Sequence, residues 1–519
     1  MSWFLRVREK AESELHARLV GPAPLAARPA EPCPGRLGPP VFRVDGLGAP
    51  PPEGETERDH HRLGAFAQLA RRGAQGEVEA GPQAIRVLDS WLRQDVPGRG
   101  PGWEHPSDLT VRIVHLTAGF AWLAAEAPAA LQASAAGSVG WHLAHLRARM
   151  PTGQADTHRR IAHLVGLFVG GLQFPAAPGA RQSWSEAASA LGPAMERGVN
   201  RDGSDPSGAP AFLEQSLWLV AVAIAVARAN GTALPDAATA AWARGVRYLD
   251  RLAGDGGSVP ALGEAPFGSL LAAPGCAAPA SLRNLAVAWG HDDGETAPGP
   301  DARAAWFGAA SAAPSPPAAK AWATWSFAGS GTAVAALQVR GECLRAVFAT
   351  GGTDSGPLAH DAPLQLLVDL GSTPLLADPG PARPARAEHN GLLVRGGTEG
   401  AARLDVARVD GKKVRFEGHL PLGRTGRWHR DVLLNQQRVR VSDRLVGSSG
   451  QVALRWQIGA AWTVSGADHA WTLRAPPHSV VVELPKALTW RFEPLPSPAF
   501  VGEGSLQDGA EITSSFEVR

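Results

Sequence analysis

Three segments carry side chains that could do acid–base chemistry. GWEHPSDLTVRIVHL (102–116) carries His105 and His115, HRRIAHLVGLFVGGLQF (158–174) carries His158 and His163, and RDGSDPSGAPAFLEQ (201–215) carries Glu214. Imidazole titrates near neutral pH, so each histidine is a candidate base. Glu214 could serve only with a raised pKa. Arg159 offers a planar donor fork for a carboxylate. It lies four residues before His163, so the two could also simply share a helix face. Seventeen tryptophans supply faces that could stack on sugar rings, Trp103, Trp184, Trp218 and Trp428 among them, although core packing is the commoner fate of such residues. Asp202-Gly203-Ser204 reads as a helix-capping turn. No nucleotide-binding glycine loop or G-x-S-x-G elbow is present.

These residues need a scaffold, and the chain is long enough for two or three domains at 519 residues. A net charge of +1 supplies no bulk attraction to nucleic acid or to an anionic membrane, so an acidic substrate would need a local basic patch. Cys33, Cys276 and Cys343 are too few and too scattered for a disulfide framework or a cysteine zinc site. The N-terminus alternates charged and apolar residues and has no signal-peptide core. A soluble cytoplasmic protein without membrane insertion is expected, or a periplasmic one if the start codon is mis-assigned. The apolar stretch 216–229 reads as a buried helix. The sequence leaves the oligomeric state open.

Residues 1–56 form an irregular lead-in, rich in Pro and Gly from residue 21. From 57 to 310 apolar residues recur at helical spacing, as in 109–127, 158–174, 212–230 and 237–253, which predicts paired helices in an array or toroid. Near residue 320 the period changes to two. About a dozen short strands with turn residues between them follow to 519, and these predict an antiparallel β-sandwich.

Six segments in this order resemble the heparinase II/III-like polysaccharide lyases, over most of the chain. GWEHPSDLTVRIVHL is similar to that family's helix with a Trp, an acid and an Arg, here Trp103, Asp108 and Arg112. HRRIAHLVGLFVGGLQFP resembles the helix that begins Asn-His. RDGSDPSGAPAFLEQ resembles the Asp-Gly-Ser turn before a Tyr-His helix start. LAHDAPLQLLVDLGSTPLLADPG (358–380) resembles a His-x-His strand and a return strand ending Asp-Pro-Gly. AEHNGLLVRGG (387–397) and GRWHRDVLLNQQRVRVSDRLVG (426–447) resemble the Ala-His-Asn strand and a His-Arg hairpin closed by an Asp.

The resemblance implies an α/α toroid followed by a β-sandwich, and β-elimination on a uronate polysaccharide. That reaction needs a neutralised carboxylate, a base for the C5 proton and an acid for the leaving oxygen. At the family's positions for these roles the sequence departs. His158-Arg159 replaces Asn-His, Phe212 replaces the Tyr, and Leu358 replaces the first His of His-x-His. The candidate catalytic set becomes His158, Arg159, His163 and Glu214, with His105, Arg112, Trp103 and Phe212 as candidate substrate contacts. The only tyrosine, Tyr248, lies in a helical pattern far from these motifs and reads as packing. Some members of the family hold zinc, and the corresponding positions His360, Asp378 and His389 are retained, which implies a structural zinc or a hydrogen-bonded His/Asp cluster in its place.

Two functions follow as expectations. One is a lyase on an acidic polysaccharide with a rearranged site, a histidine as base and Arg159 facing the carboxylate. The other is a catalytically inactive relative that binds glycan or a partner within a bacterial exopolysaccharide system.

Overall fold

The computed structural model describes residues 62–123, 126–153, 156–253, 259–260, 262–263, 278–291, 322–339, 341–351, 362–378, 389–395, 401–494 and 498–519. The lead-in 1–56, Leu358 and His360 lie outside them. Within the described residues an α/α toroid precedes a β-sandwich. The helices are α1 (Gly64–Ala74), α2 (Ala80–Gln94), α3 (Pro106–Leu123), α4 (Ala129–Ala148), α5 (Thr157–Gln173), α6 (Ala180–Gly198), α7 (Pro210–Ala229), α8 (Asp236–Ala253) and α9 (Ala278–Ala288).

Two helices at the centre carry the site. In α5 all but three residues are buried, and α3, α4, α6 and α7 pack around it. α7 starts with a proline, whose fixed φ and missing N–H suit a first turn. It is apolar on every side, which suits a helix enclosed by others. By length and hydropathy it could cross a membrane, but 78% of its most apolar stretch is buried inside this protein. Trp242 Nε1 of α8 donates to the Leu217 carbonyl of α7 at 2.9 Å and ties the pair together.

Seventeen strands follow among the described residues, in three antiparallel sheets where the sequence suggested two. The first sheet runs β1 (Trp322–Phe327), β2 (Thr332–Val339), β3 (Glu342–Ala349), β4 (Gln365–Leu370) and β5 (Thr373–Leu376) in order. The second has eight strands, in the order β12 (Thr463–Ala467), β13 (Ala470–Ala475), β14 (His478–Glu483), β17 (Glu511–Val518), β10 (Arg438–Val446), β9 (Gly426–Leu434), β8 (Lys413–Leu422) and β7 (Arg403–Asp410). The third orders β15 (Thr489–Glu493), β16 (Ala499–Leu506), β11 (Gly450–Gln457) and β6 (Gly391–Val394).

The first sheet is covered on both faces, and this explains its nearly unbroken apolar runs. Phe327, Val334, Val347 and Leu367 join the helical core. Ala335, Phe348, Leu366 and Val368 point the other way into the sandwich core, where Phe348 stacks on Phe416 of β8 at 5.9 Å. Polar contacts also cross between the domains. The Gly329 amide donates to Asp202 Oδ2 at 2.8 Å, Phe327 meets the Tyr248 ring edge-on at 4.8 Å, and Arg251 lies 4.5 Å over Trp325.

Candidate functional site

The Asp-Gly-Ser turn and the start of α7 bring the central candidates together. Asp202 Oδ1 accepts from the Ser204 amide and hydroxyl at 3.0 and 2.6 Å, and the chain then turns into Asp205. Asp205 is fully buried. Its two oxygens accept from the Ser207 amide (2.9 Å), the Ser207 hydroxyl (2.7 Å) and the Ala209 amide (2.8 Å), which caps the entry to α7.

The same carboxylate holds His158 of α5, with Nε2 3.1 Å from Asp205 Oδ1 and 3.0 Å from the Ser207 hydroxyl. On the other side of the ring, Nδ1 lies 2.9 Å from the Ser216 hydroxyl of α7. With Nε2–H directed at the carboxylate, Nδ1 accepts from Ser216. Burial opposes ionisation of Asp205, yet the facing His158 and the hydrogen bonds from His158 and Ser207 outweigh it and hold the carboxyl below its ordinary range. Phe212 stacks on the His158 ring with centroids 6.0 Å apart. Asp205–His158–Ser216 thus has the order of a nucleophile relay, but Ser216 is buried against α5 and no described pocket opens on it. The network welds a turn and two helices, with both imidazole nitrogens engaged.

The remaining catalytic candidates do not converge on His158. Arg159 points outward and pairs with Asp156 at 3.4 Å. His163 is buried beside the Leu146 backbone of α4, and burial first, then nearby Arg159 and Arg149, lower its pKa to about 4. It is therefore neutral at pH 7. Glu214 is half-buried in the first turns of α7.

Two expected saccharide contacts lie in the interior instead. Arg112 is fully buried between the rings of Trp91 and Trp103, at 5.3 and 5.5 Å. It donates to His142 Nε2 at 3.2 Å and to the Gly102 carbonyl, with Asp95 at 3.9 Å. Trp103 Nε1 donates to Asp95 at 2.9 Å. A planar cation with five donors suits such a polar knot inside an apolar helix layer, and a glycan would have to dismantle it to touch either residue. His105 is exposed, and its carbonyl accepts from the Asp108 amide at the start of α3.

Tyr248 packs in the helical core, as its helical pattern suggested, and is 1% exposed. It lines a cleft between the helical domain and the first sheet, together with Gly208, Pro210, Ser330, Thr332 and Gln365. Its hydroxyl is hydrogen-bonded to Ser330 and Thr332, and burial foremost, then Asp205, pushes its pKa up. Nothing in the helical spacing of α8 marks this, because the cleft is made by a hairpin some eighty positions downstream.

In the sandwich, His389 Nδ1 lies 3.0 Å from Asp378 Oδ2, and the Gln365 amide donates to the same oxygen. That bond leaves the ring's lone pair on Nε2, the atom a metal would take, with Asp378 orienting the ring. Asn390 donates to the Leu366 and Ala377 carbonyls at 3.0 and 2.8 Å and fixes the strand ends around the pair. Among the described residues no group of three His, Cys, Asp or Glu gathers at metal-binding distance, and His360 lies outside them. The His-Arg hairpin serves the core: Arg430 pairs with Asp443 at 2.7 and 2.9 Å between the rings of Trp428 and Trp456, each 4.9 Å away.

No protein-family model and no curated protein matches the sequence. Solved structures do match. A heparinase III structure superposes with a TM-score of 0.69 at 12% identity, covering 90% of this chain and 78% of that one. The heparan sulfate lyase of Pedobacter heparinus gives 0.59 at 13%, covering 90% and 78%. The chondroitin AC lyase of Streptomyces coelicolor A3, in complex with chondroitin sulphate, gives 0.56 at 14%, covering 98% and 78%. At such identities the likeness establishes the shared fold.

Proposed function

We propose that this chain recognises an acidic polysaccharide on a lyase scaffold without performing the elimination. The observation that carries the reading is the stack of Phe212 on His158. The ring that stands in the family's tyrosine position has no hydroxyl, and the imidazole beneath it has both nitrogens engaged, by Asp205 and Ser207 on one side and Ser216 on the other. A base must be within hydrogen-bonding distance of the proton it removes, and His158 faces protein instead. The glycan class is taken from the fold neighbours, whose names include heparan sulfate and chondroitin lyases.

A second reading, elimination at a rearranged site, is favoured by Tyr248, which supplies a hydroxyl at the interdomain cleft. Burial keeps this hydroxyl protonated, which opposes a base. The zinc implied by the resemblance is also a proposal. The resemblance assigns it to His360, Asp378 and His389; here His389 would offer Nε2 while Asp378 orients the ring through Nδ1, and the ion would supply rigidity where β4, β5 and the start of β6 meet.

One assay separates the readings. The purified protein is incubated with a panel of uronate polysaccharides while unsaturated product is followed in the ultraviolet and binding is measured in parallel. Binding without product supports the first reading. Product formation that disappears in Tyr248→Phe or Arg159→Ala overturns it.

A further inference from the structure

The outer face of the eight-stranded sheet carries a basic row. β8, β9 and β10 alternate strictly: Phe416, Leu420, Trp428, Arg430, Val432, Val441 and Leu445 point inward, and the residues between them face out. The strand register aligns the outward set. Arg403 stands opposite His419, His419 opposite His429, and His429 opposite Arg444. One step along, Arg427 lies between Pro421 and Val446, and Arg424 sits in the turn joining β8 to β9. Six basic side chains thus share one face across four strands, roughly 15 Å wide at the usual strand spacing.

The acids nearby leave most of this charge unmatched. Asp405 pairs with His419 at 2.7 Å, Glu511 stands beyond Arg444 on β17, and Glu417 and Asp431 in the adjacent row are taken by Arg415. Arg403, Arg424, Arg427 and Arg444 have no carboxylate at ion-pair distance among the described residues. The His419 and His429 rings lie 5.7 Å apart. Burial first, then His419, Arg444 and Arg427 against Asp405, lower the pKa of His429. At the sheet's end the face deepens into an open groove lined by Arg403, His419, Pro421, Arg424 and Arg427.

Like charges side by side on a sheet repel, and nothing in the fold needs them there. Several cations spread over a flat face match an extended chain of repeated anions better than a single small ion. Among the described residues the row and groove carry no Phe, Tyr or Trp ring on which nucleic-acid bases stack. We infer that the row Arg403–His419–His429–Arg444, with Arg424 and Arg427, is a docking platform for a polyanionic glycan chain bearing sulfate or carboxylate groups. The platform is separate from the cleft at Tyr248 and stands on its own charge and register, whatever that cleft does.

The probe is a fluorescently labelled heparin octasaccharide, followed by anisotropy with the full chain. Wild-type protein binds it at low ionic strength and loses affinity as salt rises, through screening. The triple variant Arg403→Ala/Arg427→Ala/Arg444→Ala binds at least tenfold more weakly, and the reversal Arg427→Glu/Arg444→Glu weakens binding further. The triple variant melts like wild type, because the altered side chains are exposed. Arg181→Ala/Arg197→Ala, at two exposed arginines of α6 in the helical domain, does not reproduce the loss. Unchanged binding in the triple variant overturns the platform, and so does polyuridylate binding as tightly as the octasaccharide.

Discussion

Nε2 of His158 lies 3.1 Å from Oδ1 of Asp205, and both groups are sealed inside the helical domain. This pair joins the Asp-Gly-Ser turn to α5. Asp205→Asn removes the charge and leaves His158 and the Ser207 and Ala209 amides facing a weaker acceptor. Breaking a buried pair of this kind costs about 3–5 kcal/mol, read as a fall in the denaturation midpoint. Because the folded carboxyl titrates below its unfolded value, its contribution is present above about pH 4 and is lost as pH falls through the folded value. A midpoint equal to wild type at pH 7 would contradict the structural role assigned to the pair.

Under the proposed function, Phe212→Tyr supplies the hydroxyl that the resemblance expects at this position. The expected result is still no unsaturated product from any uronate polysaccharide, because the neighbouring imidazole remains held by Asp205 and Ser216. Product appearing in this single variant would show that the missing hydroxyl was the only defect.

His142 and His163 predict a loss of stability in mild acid. Burial, with Arg112 second, lowers the pKa of His142 to about 3, and burial lowers that of His163 to about 4. Both are depressed below the unfolded value near 6.5, so the unfolded chain binds more protons and stability falls as pH drops from about 6.5 toward the folded values. Between pH 7 and pH 5 each site costs about 2 kcal/mol. His163→Asn removes one share, so its denaturation midpoint shifts less over this range than that of wild type. Equal shifts in the two proteins would contradict the assignment.

The domain junction is sensitive at two glycines. Gly203 has φ +90°, and a Cβ there would lie 2.3 Å from the Arg244 carbonyl oxygen. At Gly329 a Cβ would lie 2.6 Å from Asn200 Nδ2, beside the amide that donates to Asp202. Gly203→Ala combines backbone strain with a clash and costs about 2–4 kcal/mol. Gly329→Ala strains mainly the seam between the domains, and calorimetry should show the sandwich and helical transitions drawing apart. A single unshifted transition in both variants would rule out this coupling.

The zinc proposal is tested by metal removal. After chelation, elemental analysis should find zinc rebinding at one equivalent, with a rise in melting temperature that His389→Ala abolishes. Rebinding with no effect of His389→Ala would place any metal elsewhere.

The sequence alone determined the period of each segment. Continuous apolar spacing in 212–230 identified α7 as interior, and alternation in 426–447 identified β9 and β10, because side-chain direction repeats every 3.6 or 2 residues whatever the neighbours are. The ordered motifs anticipated the toroid and sandwich and the hairpin of β9 and β10, but not that Arg430 and Asp443 pair across it. Strands β7 and β15 to β17 were missed, β16 and β17 because the glycine and charge of VGEGSLQDG and the serines of EITSSFEV blur the alternation, although β17 lies inside the eight-stranded sheet between β14 and β10. Only the tertiary structure decided which side chains meet. It put Tyr248 in a cleft with Ser330, buried Arg112 between two indoles, and tied His158 to Asp205 and Ser216 across 47 and 58 positions. It also aligned Arg403, His419, His429 and Arg444 into one basic row. Periodicity fixes the face on which a residue lies, but its partners depend on strand register and helix packing, which are set by contacts between distant segments and leave no local mark in the chain.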